Sequence, residues 1–388
     1  MKTGQTRAFA GVATIGAAAI GCLQPGIDPV FLTILSAAHG LNPDRHGWIV
    51  GVTQGGMALG ALVIWRYRSE LPRSIAPIAA CAALLWALLT ASVSAFASLL
   101  LVRAAFGLAI GIVYTICMSE VAAHRPVAAY GAVFLTQLML STVVASALPY
   151  LSDIAGPQGA LLALATAPLL AAALLLLPER DGPIPASASH RMAVARTSAS
   201  PAAWALALAT CAFICATMMV WSFTGALAMQ YGFDEDMIGF AVALGSVVGA
   251  VTALVVMRET PVVPLPLTGL LSGACLLSPL IFAPLRIDWL FVGAIILLNI
   301  GSTAIIIRAS GLATAAGGDP LFRRFVACTH PLGMIAGPVL GALLTQISGS
   351  AALEGGALAT LACGSGLLLF AHKEAQGGKR PGAVVTAP

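Results

Sequence analysis

Charge is what this chain has least of. Of its 388 residues, 19 are Lys or Arg and 15 are Asp or Glu, 9% in all, against roughly a quarter in an ordinary soluble domain. Apolar side chains make up 59% without counting 40 glycines, and the mean hydropathy is +0.96. So few charges cannot cover the surface of a soluble fold of this length. A chain this apolar cannot stay unfolded in water either. The eight cysteines (22, 81, 117, 211, 215, 275, 328 and 363) all fall in long apolar runs and form no CxxC pair, which excludes a secreted disulfide scaffold. HExxH, GxSxG and GxxxxGK[ST] are all missing, so nothing proposes hydrolysis or ATP use, and an enzyme is not expected. The apolar runs are continuous rather than alternating, which excludes a membrane β-barrel. A polytopic, all-α membrane protein remains.

A spanning helix needs about 20 mostly apolar residues. Twelve stretches qualify, at 8–38, 46–65, 74–94, 96–119, 127–150, 158–178, 202–229, 237–257, 264–284, 289–309, 322–346 and 352–371. Lys2 and Arg7 ahead of an apolar run imitate a signal peptide, with Ala17-Ala18-Ala19 as a cleavage site. The run continues for a full span, so a retained first helix is expected. The longest polar interruption, 179–200, holds Pro, Ser, Arg and His without apolar periodicity. It reads as a linker between six-helix halves at 1–178 and 201–371, followed by a Gly- and Lys-rich tail at 372–388.

The halves resemble each other. At an offset of 192, His39-Gly40-Leu41-Asn42-Pro43-Asp44-Arg45-His46-Gly47 lies over Tyr231-Gly232-Phe233-Asp234-Glu235-Asp236-Met237-Ile238-Gly239. Ala61–Arg66 lies over Ala253–Arg258 in the same register. At an offset of 193, Gly156 meets Gly349 and Gln137 meets His330. A duplicated unit in parallel orientation follows. With the N-terminus inside, fifteen Lys and Arg, from Lys2 and Arg7 to Lys379 and Arg380, fall on one side and Arg45 and Arg286 on the other. That bias puts both termini and the linker in the cytoplasm, in a cytoplasmic (inner) membrane. Topology thus explains the basic excess, and no nucleic acid is expected as a partner.

Twelve spans, a parallel six-plus-six repeat and a long central linker resemble the major facilitator superfamily over about the whole chain. Arg103-Ala104-Ala105-Phe106-Gly107, continuing to Gly111, is similar to that family's Arg-and-Gly pattern on the fourth span. The second loop, Trp65-Arg66-Tyr67-Arg68-Ser69-Glu70-Leu71-Pro72-Arg73, keeps the family's basic residues but not its Asp and Gly. The fifth span lacks the Gly-Pro antiporter motif, and a Gly337-Pro338 pair sits on the eleventh. The resemblance implies alternating access by rocking of two halves around a cavity lined by the first, fourth, seventh and tenth spans.

A charge at the bilayer centre costs about 2.5–3.5 kcal/mol on insertion scales and is rarely idle. Asp28 on the first span and Arg103 on the fourth lie at similar depth, roughly 10–14 Å below the outer boundary at 1.5 Å per residue. Two readings stand: an ion pair locking two helices, or a proton and substrate site. Gln24 shares the face of Asp28 one turn away, amid Pro25, Gly26 and Pro29, which distort a helix. Gln54 is near the same depth. Arg103, Gly107, Gly111 and Tyr114 follow one stripe. The second half has Val220 at the repeat position of Asp28, and its polar midplane groups are Asn299 and His330. His330 can carry a proton or serve as a core histidine. Gln137 joins the candidates as the repeat partner of His330, and Trp221 as a cavity wall. Trp48, Trp65, Trp204 and Trp289 read as interface anchors, Arg308 as a snorkelling end residue, and Cys211 and Cys215 as packing. Gly47, Gly51 and Gly55 on the second span and Gly333, Gly337 and Gly341 on the eleventh repeat every four residues, a spacing that lets backbones approach. They read either as packing within a half or as an outer gate.

The expectation is a monomeric secondary transporter of a small anionic or neutral polar solute, proton-coupled, in contact with membrane lipid and without cofactor or metal. A proton-antiporting multidrug efflux pump is the alternative. Single-cysteine labelling on a Cys-free background tests the topology. Ser187 is predicted to be closed to an impermeant reagent from outside and Asp236 open to it, and the reverse pattern would overturn the orientation.

Overall fold

A computed structural model describes residues 2–42, 45–72, 74–177, 199–258 and 263–377. Residues 179–198 of the expected linker at 179–200, Asp44, Arg73 and the tail beyond 377 lie outside the described residues. The described chain is helical: α1 (Lys2–Gly21), α2 (Gln24–His39), α3 (His46–Tyr67), α4 (Ile75–Ser92), α5 (Phe96–Val121), α6 (Pro126–Leu164), α7 (Thr166–Leu176), α8 (Pro201–Gln230), α9 (Glu235–Val256), α10 (Leu265–Phe282), α11 (Asp288–Gly317) and α12 (Pro320–Gly377). The last helix runs to Gly377, six residues into the expected tail. Lys373 and Glu374 continue it as an exposed polar turn, because nothing between Ala371 and Gln376 breaks a helix.

Ten helices among the described residues are long and apolar enough to cross a membrane, and α1 and α2 pass together as one span bent by 46°. The bend falls at Gly21–Leu23, where Pro25 follows and cannot donate a backbone hydrogen bond. One of the ten crosses twice. Pro126–Leu176 covers 51 residues, about 76 Å of helix against a hydrocarbon core of about 30 Å. It breaks at Gly156, whose φ of 73° and ψ of 165° favour glycine. The same device divides α12 at Gly349, φ 66°. Twelve crossings result, as the sequence predicts. Gly156 and Gly349 are repeat partners, and so are Gly40 and Gly232, at φ 63° and 92°. The repeat is therefore conformational as well as sequential.

Within the first half α3 packs along α5, α4 against α5 and α7, and α2 against α6. Within the second, α8 packs along α12, and α9 and α10 against α11. The halves meet where α12 crosses α3 and α5, and where α6 crosses α9 and α11. Several of these contacts lie at the basic end. Arg324 Nη1 donates to Ile64 O at 3.4 Å, and Cys328 Sγ to Ala61 O at 3.1 Å. The rings of Trp65 and Phe325 lie 5.4 Å apart. In the other corner, Gly131 packs on Met257 and Gly311 on Val127. Toward the opposite end Gly47, Gly51, Gly225 and Gly239 have open space beside them. The halves are thus in contact at the basic end, while those four glycines toward the other end have room beside them.

Trp48 and Trp289 are exposed, as interface anchors should be. Trp65 and Trp204 also make ring contacts: Trp204, 40% exposed, meets Phe322 edge-on and Phe325 at a tilt, centroids 5.0 and 4.7 Å away. With Trp65 they form a ring cluster that fills the α3–α12 corner. Arg308 departs from expectation. It donates from Nη1 to Val263 O at 2.6 Å and to Thr268 Oγ1, tying α11 to the start of α10 instead of snorkelling.

The glycines that let backbones meet are specific. Gly107 and Gly111 on α5 pack on the backbone of Thr53 and Met57, and Gly56 and Gly60 on α3 pack on Ala104 and Leu108. A Cβ on Gly107 would sit 3.0 Å from Met57 N, backbone that cannot give way. Gly107→Leu is therefore predicted to lose folded protein, at a cost of about 1–3 kcal/mol or more. Gly51→Leu should fold like the parent. Fluorescence-detected size exclusion of both variants checks the contrast, and equal behaviour would contradict the α3–α5 packing.

Candidate functional site

The bend between α1 and α2 carries the first polar cluster. Gly26 places α2 directly on Gln137 and Ser141 of α6; a Cβ there would meet Gln137 Nε2 at 2.6 Å. Gln137 Nε2 donates to Ser141 Oγ at 2.9 Å, so this candidate braces the bend. Beyond it, Gln24 Nε2 donates to Asp28 Oδ1 at 2.8 Å, one helical turn on. Gln54 from α3 lies beside the same carboxylate, and Arg103 from α5 lies within its electrostatic reach. The four residues Gln24, Asp28, Gln54 and Arg103, expected at one depth on three spans, are together.

Asp28 and Arg103 are not a contact ion pair; the nearest described example of one is at the surface, Arg68 Nη2 to Glu120 Oε1 at 3.9 Å. The Arg103 guanidinium instead lies between two rings, 4.6 Å from the centroids of Phe31 and of Phe106. Ring faces attract cations. Its Nε donates to Thr53 Oγ1 at 3.2 Å. Its Nη2 has no partner, nor does Gln54 Oε1. Arg103 is 2% exposed, Gln54 1% and Asp28 8%. An unmet donor on a buried charged group costs more than the roughly 1–3 kcal/mol of a neutral one. A cavity of about 40 Å³ adjoins Gln24, Phe31, Arg103 and Phe106, room for two or three waters at about 10–15 Å³ each. The cluster therefore offers a fixed cation with a donor to spare, an acceptor to spare, and a carboxylate held apart from the cation.

Tyr114 and His330 form a second cluster. Tyr114 lies eleven residues beyond Arg103 on α5, about 16 Å nearer the basic end. Its hydroxyl and His330 Nδ1 share a hydrogen bond between the two halves. His330 Nε2 and Ser310 Oγ of α11 share another at 3.3 Å. Tyr130 and Phe134 of α6 set their ring edges against the imidazole, centroids 5.4 and 5.6 Å away. His330 is 1% exposed. One imidazole of the second half is thus enclosed by α5 and α6 of the first. The sequence singled out Tyr114 and His330 but not their meeting, nor Thr53, Phe31, Phe106, Ser310 and Tyr130 around the two clusters. The four-residue step from Arg103 to Gly107 was the available signal for Thr53, since a glycine there brings α3 against α5.

The other candidates stand apart. Asn299 donates to Ile295 O at 3.0 Å within α11 and packs against Gly245 of α9. Trp221 lies among Phe233, Phe291 and their neighbours. Of the six glycines suggested for an outer gate, Gly333 packs on Cys211 and Ile214, Gly337 on Cys215, Met218 and Met219, and Gly341 on Phe223. That is packing of α12 on α8 within one half, and the stripe does not face α3 in this state. Gly55 lies against Ile335 across the halves, while Gly47 and Gly51 face open space.

Among solved structures the chain is similar to the crystal structure of the human organic anion transporter MFSD10 (TETRAN). The two are 16% identical, with a TM-score of 0.63 over 94% of this chain and 96% of that one. The likeness shows the fold: this chain shares the all-helical, membrane-spanning fold of that transporter. No family model matches the chain, and no curated protein matches it in sequence.

Breaking the link between the clusters' two halves has a direct readout. A side-chain hydrogen bond contributes about 0.5–1.5 kcal/mol, a factor of roughly 2 to 10 in a population. Tyr114→Phe is predicted to raise the fraction with parted basic ends by that factor. Electron–electron distance measurement between spin labels at Ser69 and Leu321 should gain a longer component, and an unchanged distribution would show that the bond does not hold the halves together.

Proposed function

We propose that the chain is a secondary active transporter of a small organic anion, working by alternating access with a proton as the coupling ion. The observation that carries this reading is Arg103: a buried guanidinium with no contact carboxylate and an unpartnered Nη2. An anionic head group brought to that donor would be bound, since a guanidinium holds carboxylate through paired, charge-assisted bonds. The description of MFSD10 as an organic anion transporter agrees with this chemistry.

Asp28 is the proposed coupling group. Without a solute anion, Asp28 is the charge that balances Arg103. With one bound, Arg103 is balanced twice and a proton on Asp28 becomes favourable, so substrate occupancy and protonation are linked reciprocally. The basic end is proposed to face the cytoplasm, and the state described above is proposed to face outward. Passage inward then requires the Arg324–Ile64 and Tyr114–His330 contacts to part while the opposite ends of α3 and α12 approach, with Gly47 and Gly51 leaving room for it. Residues 1–178 and 201–371 are the proposed rocking bodies of one monomer, joined by the linker at 179–200.

An efflux pump exchanging protons for amphiphiles is the second reading, on the strength of the apolar faces of Phe31 and Phe106 beside Arg103. Proteoliposomes with an imposed pH gradient separate the two. Accumulation of organic acids but not of lipophilic cations is expected, and the opposite preference would overturn the anion reading. Asp28→Asn should abolish gradient-driven accumulation and keep exchange. Arg103→Ala should weaken anion binding about 10- to 100-fold, the loss of a charged hydrogen bond, with Arg103→Lys restoring it in part. Unchanged accumulation and pH profile in Asp28→Asn would remove Asp28 from coupling and turn attention to His330.

A further inference from the structure

The two corners where the halves meet at the basic end are related by the repeat, yet they are built differently. In the α3–α12 corner, the rings of Trp65, Trp204, Phe322 and Phe325 fill the space, and Glu120 pairs with Arg68. In the α6–α9 corner a cavity of about 570 Å³ remains, within the range of about 300–1,000 Å³ typical of small-molecule sites. Both halves contribute to it: Arg125 and Val127 from the start of α6, Met257 and Arg258 from the end of α9, Arg308 and Leu312 from α11. At the offset of 192, Leu312 stands where the first half has Glu120, and Arg308 where it has Ile116. The second half thus has no acid at the first position and a cation at the second. Three arginines line the cavity, and no acidic residue does among the described residues.

Arg308 is fixed for such a role. Its bonds to Val263 O and Thr268 Oγ1 both leave from Nη1, which leaves Nε and Nη2 outside them. The apolar wall also reaches the molecular surface, since Val255 is 44% and Leu312 36% exposed. The cavity therefore joins a cationic floor to a lipid-facing apolar wall, at the level where a membrane's head groups begin. Guanidinium groups bind phosphate through two parallel bonds, and basic pockets between spanning helices attract anionic head groups.

We propose that this corner is a binding site for the phosphate head group of an anionic phospholipid, whose acyl chain lies along Val255 and Leu312. A lipid held by α6 from one half and α9 and α11 from the other binds the closed basic end better than the parted one. It therefore favours the closed state by mass action. The site is about as far from Arg103 as the basic end itself, and its occupancy does not depend on the identity of the solute or on proton coupling.

Native mass spectrometry of the full chain with phosphatidylglycerol, phosphatidylcholine or inorganic phosphate tests it. One phosphatidylglycerol should be retained in preference to phosphatidylcholine. Arg258→Gln should weaken that retention about fivefold and the double variant Arg125→Gln/Arg258→Gln more, at about fivefold per arginine. Arg258→Lys should keep most of it. In lipid nanodiscs, exchanging phosphatidylcholine for phosphatidylglycerol should narrow the distance between labels across the basic end in the parent and not in Arg258→Gln. Equal retention of the two lipids, or retention indifferent to Arg258→Gln, would overturn the proposal. Displacement of the lipid by millimolar inorganic phosphate would also overturn it, by identifying a free-anion site. Should the double variant fail to fold, the single Arg258→Gln and Arg258→Lys pair carries the comparison.

Discussion

A guanidinium in the hydrocarbon region has to be balanced, and much of the first half is arranged around that need. Arg103 lies between two ring faces and donates once to Thr53. Each of those neighbours is in place because a helix has been brought close or bent. Gly107, one turn from Arg103, seats α5 on the backbone of α3 and so delivers Thr53 and Gln54. Gly26 seats α2 against α6, and the bend ahead of it turns Gln24, Asp28 and Phe31 toward α5. The arrangement stops short of neutralising the cation by contact. A charge held but left with a spare donor is a poor way to stabilise a fold, and a good way to wait for an anion.

The duplication sets what the remaining helices can do. Equivalent contacts recur across it: Gly107 on Met57 in the first half and Asn299 beside Gly249 in the second occupy matching positions. The departures from symmetry then stand out as places where the sequence has been put to separate use. Asp28 faces no carboxylate counterpart, because position 220 is valine. His330 stands where the first half has Gln137. One is locked between the halves and the other braces the bent helix. The two basic corners follow the same rule, one filled with rings and the other lined with arginine.

Much of this was legible beforehand because it rests on composition and on scarce residues. In a chain with few charges, Asp28 and Arg103 stand out, and similar depth on the first and fourth spans was the signal that set them near each other. The breaks at Pro25, Gly156 and Gly349 follow from residues that do not continue a helix freely. The glycine stripes show where such reading ends. Spacing of four says that a backbone can be approached, but not by which helix. Gly55 and Gly56 differ by one residue and by about 100° around α3; the first faces Ile335 across the halves and the second Ala104 in its own. With apolar residues on all sides of nearly every helix, no polar face marks which way each one turns. For the same reason the meeting of Tyr114 with His330, 216 residues apart, and the tether from Arg308 to α10 had no sequence signal.

Arg103 is the group proposed to take up the solute's negative charge. The most direct test of that proposal is a cryo-electron microscopy structure of the full chain in nanodiscs with a transported organic acid bound. Density for the acid head group is expected against Arg103 Nη2, with the guanidinium still between Phe31 and Phe106. Density seated in the second half, beside Asn299 or Trp221, with Arg103 still bonded to Thr53 alone, would contradict it.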